Sequence, residues 1–180
     1  MHIYLAQKKI PYAIIGGVAV QKWGEPRATK DVDLTISIPI EKTEKFIANI
    51  SRSFKGRASD LHAFARRTRV VPIYASNGCS VDISLALPGY EDAVMQRTQS
   101  FKLAPRKTVR VCSAEDLIIH KVVAGRPQDL IDLRNVIFRH GEALDHAYIR
   151  AWLKEFSLIL ETDEVLQRFE RVWAKWKKSG

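Results

Sequence analysis

The stretch Gly16-Gly-Val-Ala-Val-Gln-Lys-Trp-Gly-Glu-Pro-Arg-Ala-Thr-Lys-Asp-Val-Asp33 decides how the rest of the chain is read. Before it, Tyr12-Ala-Ile-Ile predicts a buried strand that runs straight into Gly16-Gly17, and Val18 to Trp23 predicts a helix stopped by Gly24 and Pro26. Bare backbone between a strand and a helix lets phosphate oxygens approach the N–H groups, helped by the positive helix start. The segment Asp31-Val-Asp-Leu-Thr-Ile-Ser-Ile38 alternates as a strand does, with Asp31 and Asp33 on one face and Val32, Leu34, Ile36 and Ile38 on the other. Two rises apart, the aspartate Cα atoms stand roughly 6.5–7 Å from each other. Carboxylates that close repel unless a positive charge sits between them, and a hard divalent cation held by oxygens supplies one. Arg27 adds a fork of donors and Thr29 a hydroxyl on the approach to the pair. The plainer alternative is a tight turn at Gly16-Gly17, a turn cap at Asp31 and a solvated Asp33 at a strand edge.

A third carboxylate, Asp82, lies in Ser80-Val-Asp-Ile-Ser-Leu85 and points away from the face of Val81, Ile83 and Leu85. If its strand neighbours that of Asp31 and Asp33, three carboxylates converge, the apparatus of a metal-assisted displacement at phosphorus.

Working outward, Ile3 to Lys9 predicts a short helix ended by Pro11, and Lys42 to Phe54 a longer one carrying Phe46, Ile47 and Ile50 at helical spacing. The basic stretch 52–69 is compatible with a loop and with a basic helix. Val70 to Ala75 and Ser80 to Leu87 predict a hairpin joined through Asn77-Gly78. Phe101 to Leu103 and Val109 to Cys112 predict two more short strands around a basic turn. From Ser113 the pattern turns helical: Ser113-Ala-Glu-Asp116 is a capping box, followed by helices over Gln128–Arg139, Ala147–Leu160 and Asp163–Lys178. The expected fold is α+β, a small mixed β-sheet flanked by helices, with a C-terminal helical cap. Residues 1–112 form its core and 113–180 the helical region.

With 180 residues, of which 46% are hydrophobic, the chain supports a packed core and excludes wholesale disorder. Lys and Arg number 29 against 20 Asp and Glu, a net charge of +9 that suggests an anionic partner. Arg52, Lys55, Arg57, Arg66, Arg67 and Arg69, joined to Lys102, Arg106, Lys107 and Arg110 and to Lys175, Lys177 and Lys178, would offer RNA phosphates one positive face if the clusters meet. Cys79 and Cys112 are too few for a disulfide framework and lack metal-site spacing. No secretory signal and no membrane-spanning run is visible, so the expectation is a cytoplasmic protein with no membrane partner.

Gly-Gly, a helix, Arg27-x-Thr29-x-Asp31-x-Asp33 and a later hydrophobic-Asp82-hydrophobic strand together resemble the nucleotidyltransferase superfamily, the polymerase beta-like fold. Ser113-Ala-Glu-Asp-Leu-Ile-Ile-His-Lys121 followed by Gly125-Arg-Pro-Gln-Asp129-Leu-Ile-Asp132 looks like the later motifs of the AbiEii-type toxin nucleotidyltransferases. The resemblance covers roughly Tyr12 to Val136. It departs at Gly17, where many members carry a serine whose hydroxyl contacts phosphate.

The resemblance implies transfer of a nucleoside monophosphate from a triphosphate, such as ATP, to an acceptor hydroxyl, with release of pyrophosphate. It implies that Asp31, Asp33 and Asp82 hold Mg²⁺ or Mn²⁺ and that Asp82 also takes the proton of the attacking hydroxyl. Gly16, Gly17, Thr29 and Lys121 would hold the triphosphate, and Arg27 or Arg126 would offset charge near the leaving group. The segment containing Asp129 and Asp132 would help shape the site. The acceptor it points to is tRNA or another RNA, in a toxin of a toxin–antitoxin or phage-defence pair with a cognate antitoxin as partner. Transfer to a small molecule such as an aminoglycoside or to a protein, and a non-catalytic module that binds nucleotide or a partner, are the alternatives.

Overall fold

The computed structural model describes residues 1–85, 89–105 and 107–178. Ala86 and Leu87 of the expected second hairpin strand, and Arg106 of the basic clusters, lie outside the described residues. Two compact units form, one from residues 1–18 and 28–112, the other from residues 19–27 and 113–180.

The first unit is built on a mixed six-stranded sheet, in the order β3-β4-β2-β1-β6-β5. Its strands are β1 (Tyr12–Ile14), β2 (Asp31–Ile36), β3 (Val70–Tyr74), β4 (Ser80–Leu85), β5 (Gln99–Ala104) and β6 (Lys107–Val111). β2 runs parallel to β4 and antiparallel to β1, while β3 and β5 pair antiparallel with β4 and β6. The sequence explains which face is dry. Along β4, Val81, Ile83 and Leu85 are buried and alternate with half-buried Ser80, Asp82 and Ser84. Leu34 and Ile36 of β2 join Val71 and Ile73 of β3 in the same cluster. Three helices supply its other side: α1 (His2–Gln7) through Leu5, α3 (Thr43–Ser53) through Phe46, Ile47 and Ile50, and α4 (Leu61–Thr68) through Leu61 and Ala65. Fully burying each of these aliphatic side chains contributes about 1.5–3 kcal/mol. The opposite sheet face therefore carries the aspartates.

Several boundaries differ from expectation for local reasons. α2 (Gly16–Trp23) begins at Gly16, so the two glycines are its first turn and not a loop ahead of it. β2 ends at Ile36, before the expected Ile38. The basic stretch divides: Asp60 accepts the amide of Ala63 and caps α4, and the connection from α3 is irregular, tied to β3 by the Arg57 amide donating to the Pro72 carbonyl. Asn77-Gly78 sits inside a five-residue connection over 75–79, with Gly78 at φ +79°. α5 (Tyr90–Gln96) was not legible in advance; Asp92 bonds back to the amide of Gly89, which starts it.

The second unit contains α6 (Ala114–Ala124), α7 (Pro127–His140), α8 (His146–Ile159) and α9 (Glu164–Lys177), together with the end of α2. Ser113 caps α6 by accepting the Asp116 amide, worth about 1 kcal/mol. Gly125, at φ +61°, ends it. Leu117, Ile118, Val122, Leu133, Val136, Ile137, Leu153, Phe169 and Trp173 form this unit's interior. Among the described residues no helix is long and apolar enough to cross a membrane.

Candidate active site

Sheet register brings the aspartates together. Asp33 of β2 faces Asp82 of β4 directly across a parallel pair, and Asp31 lies two residues earlier on β2, opposite Ser80. Neighbouring strands stand about 4.8 Å apart and side chains two residues apart share a face, so the three carboxylates form an L on one side of the sheet. Their surroundings are wet: the side chains of Asp31 and Asp82 keep 53% and 31% of their surface exposed.

A cation, Arg57, enters this row. The Arg57 guanidinium donates to Asp82 Oδ1 through Nη2 at 2.6 Å, and its Nη1 lies 3.9 Å from Asp31 Oδ1. Sequence reading placed Arg57 among surface charges; the bridge from Gly56 to Ile73, which no sequence pattern signals, fastens this stretch to the sheet edge beside Asp82. Among the described residues no three His, Cys, Asp or Glu side chains gather tightly enough to hold one ion between them. The donor chemistry nevertheless fits a hard dication, since carboxylate oxygens from two adjacent strands surround a place already taken by a positive group.

The glycines stand against the same row. Gly16 has φ +60°, and a Cβ there would overlap the carboxylate of Asp33. A Cβ on Gly17 would come within 2.6 Å of Thr29 Oγ1. Thr29 in turn donates to the Asp31 carbonyl at 3.1 Å, and the Ile15 amide donates to the Asp33 carbonyl at 2.9 Å. Any side chain at Gly16 would thus have to displace a member of the acidic row.

The remaining predicted residues belong to the second unit and form a cluster of another kind. Lys121 is buried, with its ammonium 2.8 Å from both Asp129 Oδ1 and Asp132 Oδ2. Arg27 makes a two-pronged pair with Asp132, Nε to Oδ1 and Nη2 to Oδ2, both at 2.9 Å. Arg126 donates to Asp129 through Nε at 2.6 Å and through its own amide. Burial raises the carboxyl of Asp132, but hydrogen bonds from Arg27, Lys121 and Gln128 outweigh it and hold the group down to about 2. Burial likewise raises Asp129, and the bonds from Arg126 and Lys121 bring it below the usual carboxylate range. Asp132 thus gathers donors from three side chains, Arg27, Lys121 and Gln128.

No protein-family model matches the chain, and no characterised protein is significantly similar to it in sequence. Its fold, however, is that of solved nucleotidyltransferase-like proteins. An antigenic nucleotidyltransferase-like protein from Paracoccidioides brasiliensis superimposes with a TM-score of 0.54 over 94% of this chain and 88% of its own, at 19% identity. The antibiotic-resistance factor ANT(2'')-Ia gives 0.58 over 88% of this chain and 90% of its own, at 17% identity. The same factor in complex with adenylyl-2''-tobramycin gives 0.54 over 86% and 93%, at 18% identity.

Proposed function

We propose that the protein is a metal-dependent nucleotidyltransferase that moves a nucleoside monophosphate from a nucleoside triphosphate to an acceptor hydroxyl. The observation that carries this reading is the Asp33–Asp82 register pair with Asp31 on the same face, set against the glycine start of α2. Asp31, Asp33 and Asp82 would hold Mg²⁺ or Mn²⁺, which when bound neutralises charge on the triphosphate and the attacking oxygen. The amides of Gly16 and Gly17 and the hydroxyl of Thr29 face phosphate oxygens, with the start of the helix favouring negative charge. The acceptor oxygen forms a bond to the α-phosphorus, the bond to the bridging oxygen breaks, and its electron pair leaves with pyrophosphate. Asp82 takes the acceptor proton. Arg57 must then release Asp82, since a carboxylate paired at 2.6 Å is a poorer base. Sequence resemblance assigns Arg27 and Arg126 to the departing charge. Lys121 and Asp129 act by fixing those arginines, because the Lys121 ammonium is already shared between Asp129 and Asp132.

The acceptor we favour is RNA, tRNA in particular, because a net charge of +9 suits a polyanion and repels a cationic drug. A toxin role with a cognate antitoxin follows from the sequence resemblance alone. The second reading is a small-molecule acceptor, favoured by the fold shared with ANT(2'')-Ia, seen bound to adenylyl-2''-tobramycin. The deciding experiment mixes purified protein with Mg²⁺ or Mn²⁺, each labelled nucleoside triphosphate in turn, and either total tRNA or an aminoglycoside. Label entering tRNA, and lost in Asp31→Ala/Asp33→Ala, supports the first reading; label entering the aminoglycoside supports the second. Absence of both transfer and triphosphate binding overturns the enzymatic assignment.

A further inference from the structure

The second unit holds a groove that the transfer chemistry does not use. It lies between α7 and α9, encloses about 640 Å³, and is lined by Leu130, Arg134 and Phe138 on one wall and by Arg168, Arg171, Val172, Lys175 and Lys178 on the other. The two walls differ in kind. Four of the five cations stand along α9 and its C-cap, Lys178, at steps of three, four and three residues, which places them about 4.5–6 Å apart along a rail some 15 Å long. The α7 wall offers the partly exposed side chains of Leu130 and Phe138, with the flat guanidinium of Arg134 over the Phe138 ring, 5.2 Å from its centroid. Glu164 pairs with two of these cations, Arg168 at 3.3 Å and Arg171 at 2.9 Å. Arg168 also donates to the Val122 carbonyl, which fixes its direction.

We propose that this groove binds single-stranded nucleic acid, with the phosphate backbone along α9 and the bases against Leu130, Arg134 and Phe138. A row of evenly spaced cations matches successive phosphates, and an aromatic ring with a planar cation gives bases of any sequence a face to stack on. An acidic amphipathic helix, the other anionic occupant of comparable size, needs an apolar floor with charge on both rims. Here charge and apolar surface are divided between the walls. The inference stands whether or not the acidic row transfers nucleotides, because it uses none of its residues.

The test is fluorescence anisotropy of the full chain with a labelled single-stranded RNA of about 12 nucleotides, without metal or triphosphate. Between about 50 and 200 mM salt the affinity should fall with a log–log slope near −3, as four or five phosphate contacts require. Arg171→Gln/Lys175→Gln should weaken binding at least about tenfold and flatten the slope by about 1.4. Phe138→Ala should weaken it about fivefold or more while leaving the slope alone. Asp31→Asn/Asp33→Asn should bind the strand as the unaltered chain does, which separates this proposal from the transfer reading. All these side chains are on the surface, and a thermal melt of each variant confirms its fold. Equal binding of a duplex, an unchanged slope after neutralising α9, or displacement by polyglutamate with no effect of Phe138→Ala would each overturn the proposal.

Discussion

The chain builds two clusters of aspartate with basic side chains, and they differ in every property that decides what a charge cluster does. In the first unit the Arg57 guanidinium pairs with Asp82 and lies near Asp31, whose side chains stay partly open to water, with half-buried Asp33 beside them. In the second, Asp129 and Asp132 face Lys121, Arg27 and Arg126, and the exposures of Lys121, Asp129 and Asp132 are 5%, 2% and 1%. Each buried carboxylate is paired because it must be, since a buried charge without a partner costs several kcal/mol. The open cluster meets water at Asp31 and Asp82, and a dication would relieve the repulsion among its three carboxylates. The same residue types thus make a brace in one unit and a binding site in the other.

Loss of a carboxylate separates the two most sharply. Asp33→Asn should lower nucleotidyl transfer by at least about a thousandfold, since it removes a charge that the metal and the triphosphate require. Its unfolding free energy in urea should fall by less than about 1 kcal/mol, since the isosteric change keeps the half-buried side chain's packing against Gly16. A large fall in stability would show the acidic row to be a second brace.

The converse applies to Lys121→Met. Removing the ammonium leaves two buried carboxylates facing Arg27 and Arg126 alone, and should cost about 3–5 kcal/mol in chemical denaturation. An effect below about 1 kcal/mol would break the comparison, because it would mean that water reaches the cluster.

Acid titration sharpens it further. The depressed carboxyls of Asp129 and Asp132 bind protons more weakly folded than unfolded, so their contribution is present above the usual carboxylate value near 4 and is lost as pH falls towards about 2. The melting temperature should drop across that window, and the drop should be smaller in Asp132→Asn. An unchanged acid limb in that variant would assign the loss to other groups.

What the sequence revealed and concealed follows the same division. The acidic row was legible because a strand repeats every two residues: Asp31, Asp33 and Asp82 had to leave the faces opposite Leu34, Ile36 and Ile83, and only their adjacency awaited the sheet order. The sheet, the late hairpin and the C-terminal helices were readable for the same reason. The Lys121 cluster was not, because an apolar helix carrying one lysine gives no sign of whether the ammonium snorkels outward or turns to carboxylates eight and eleven residues on. Arg57 was hidden differently: it sits in a non-periodic stretch of like charges, and its direction comes from backbone bonds to β3 that no local pattern announces.

The smallest expected effect tests Arg57, the guanidinium paired with the open cluster. If the acidic row is a cation site, Arg57 already fills part of it, and a dication must displace a guanidinium bonded to Asp82 and lying near Asp31. Arg57→Gln keeps a donor near Asp82 and removes the competing charge. Mn²⁺ binding, read by electron paramagnetic resonance without nucleotide, should then tighten about two- to fivefold, the range that a partly exposed ion pair of about 0.4–1 kcal/mol allows. Melting should hardly change, because both partners stay hydrated. Weaker Mn²⁺ binding would give Arg57 the opposite part: it would hold Asp31 and Asp82 in the arrangement that an ion needs, and the open cluster would depend on its cation as the buried one does.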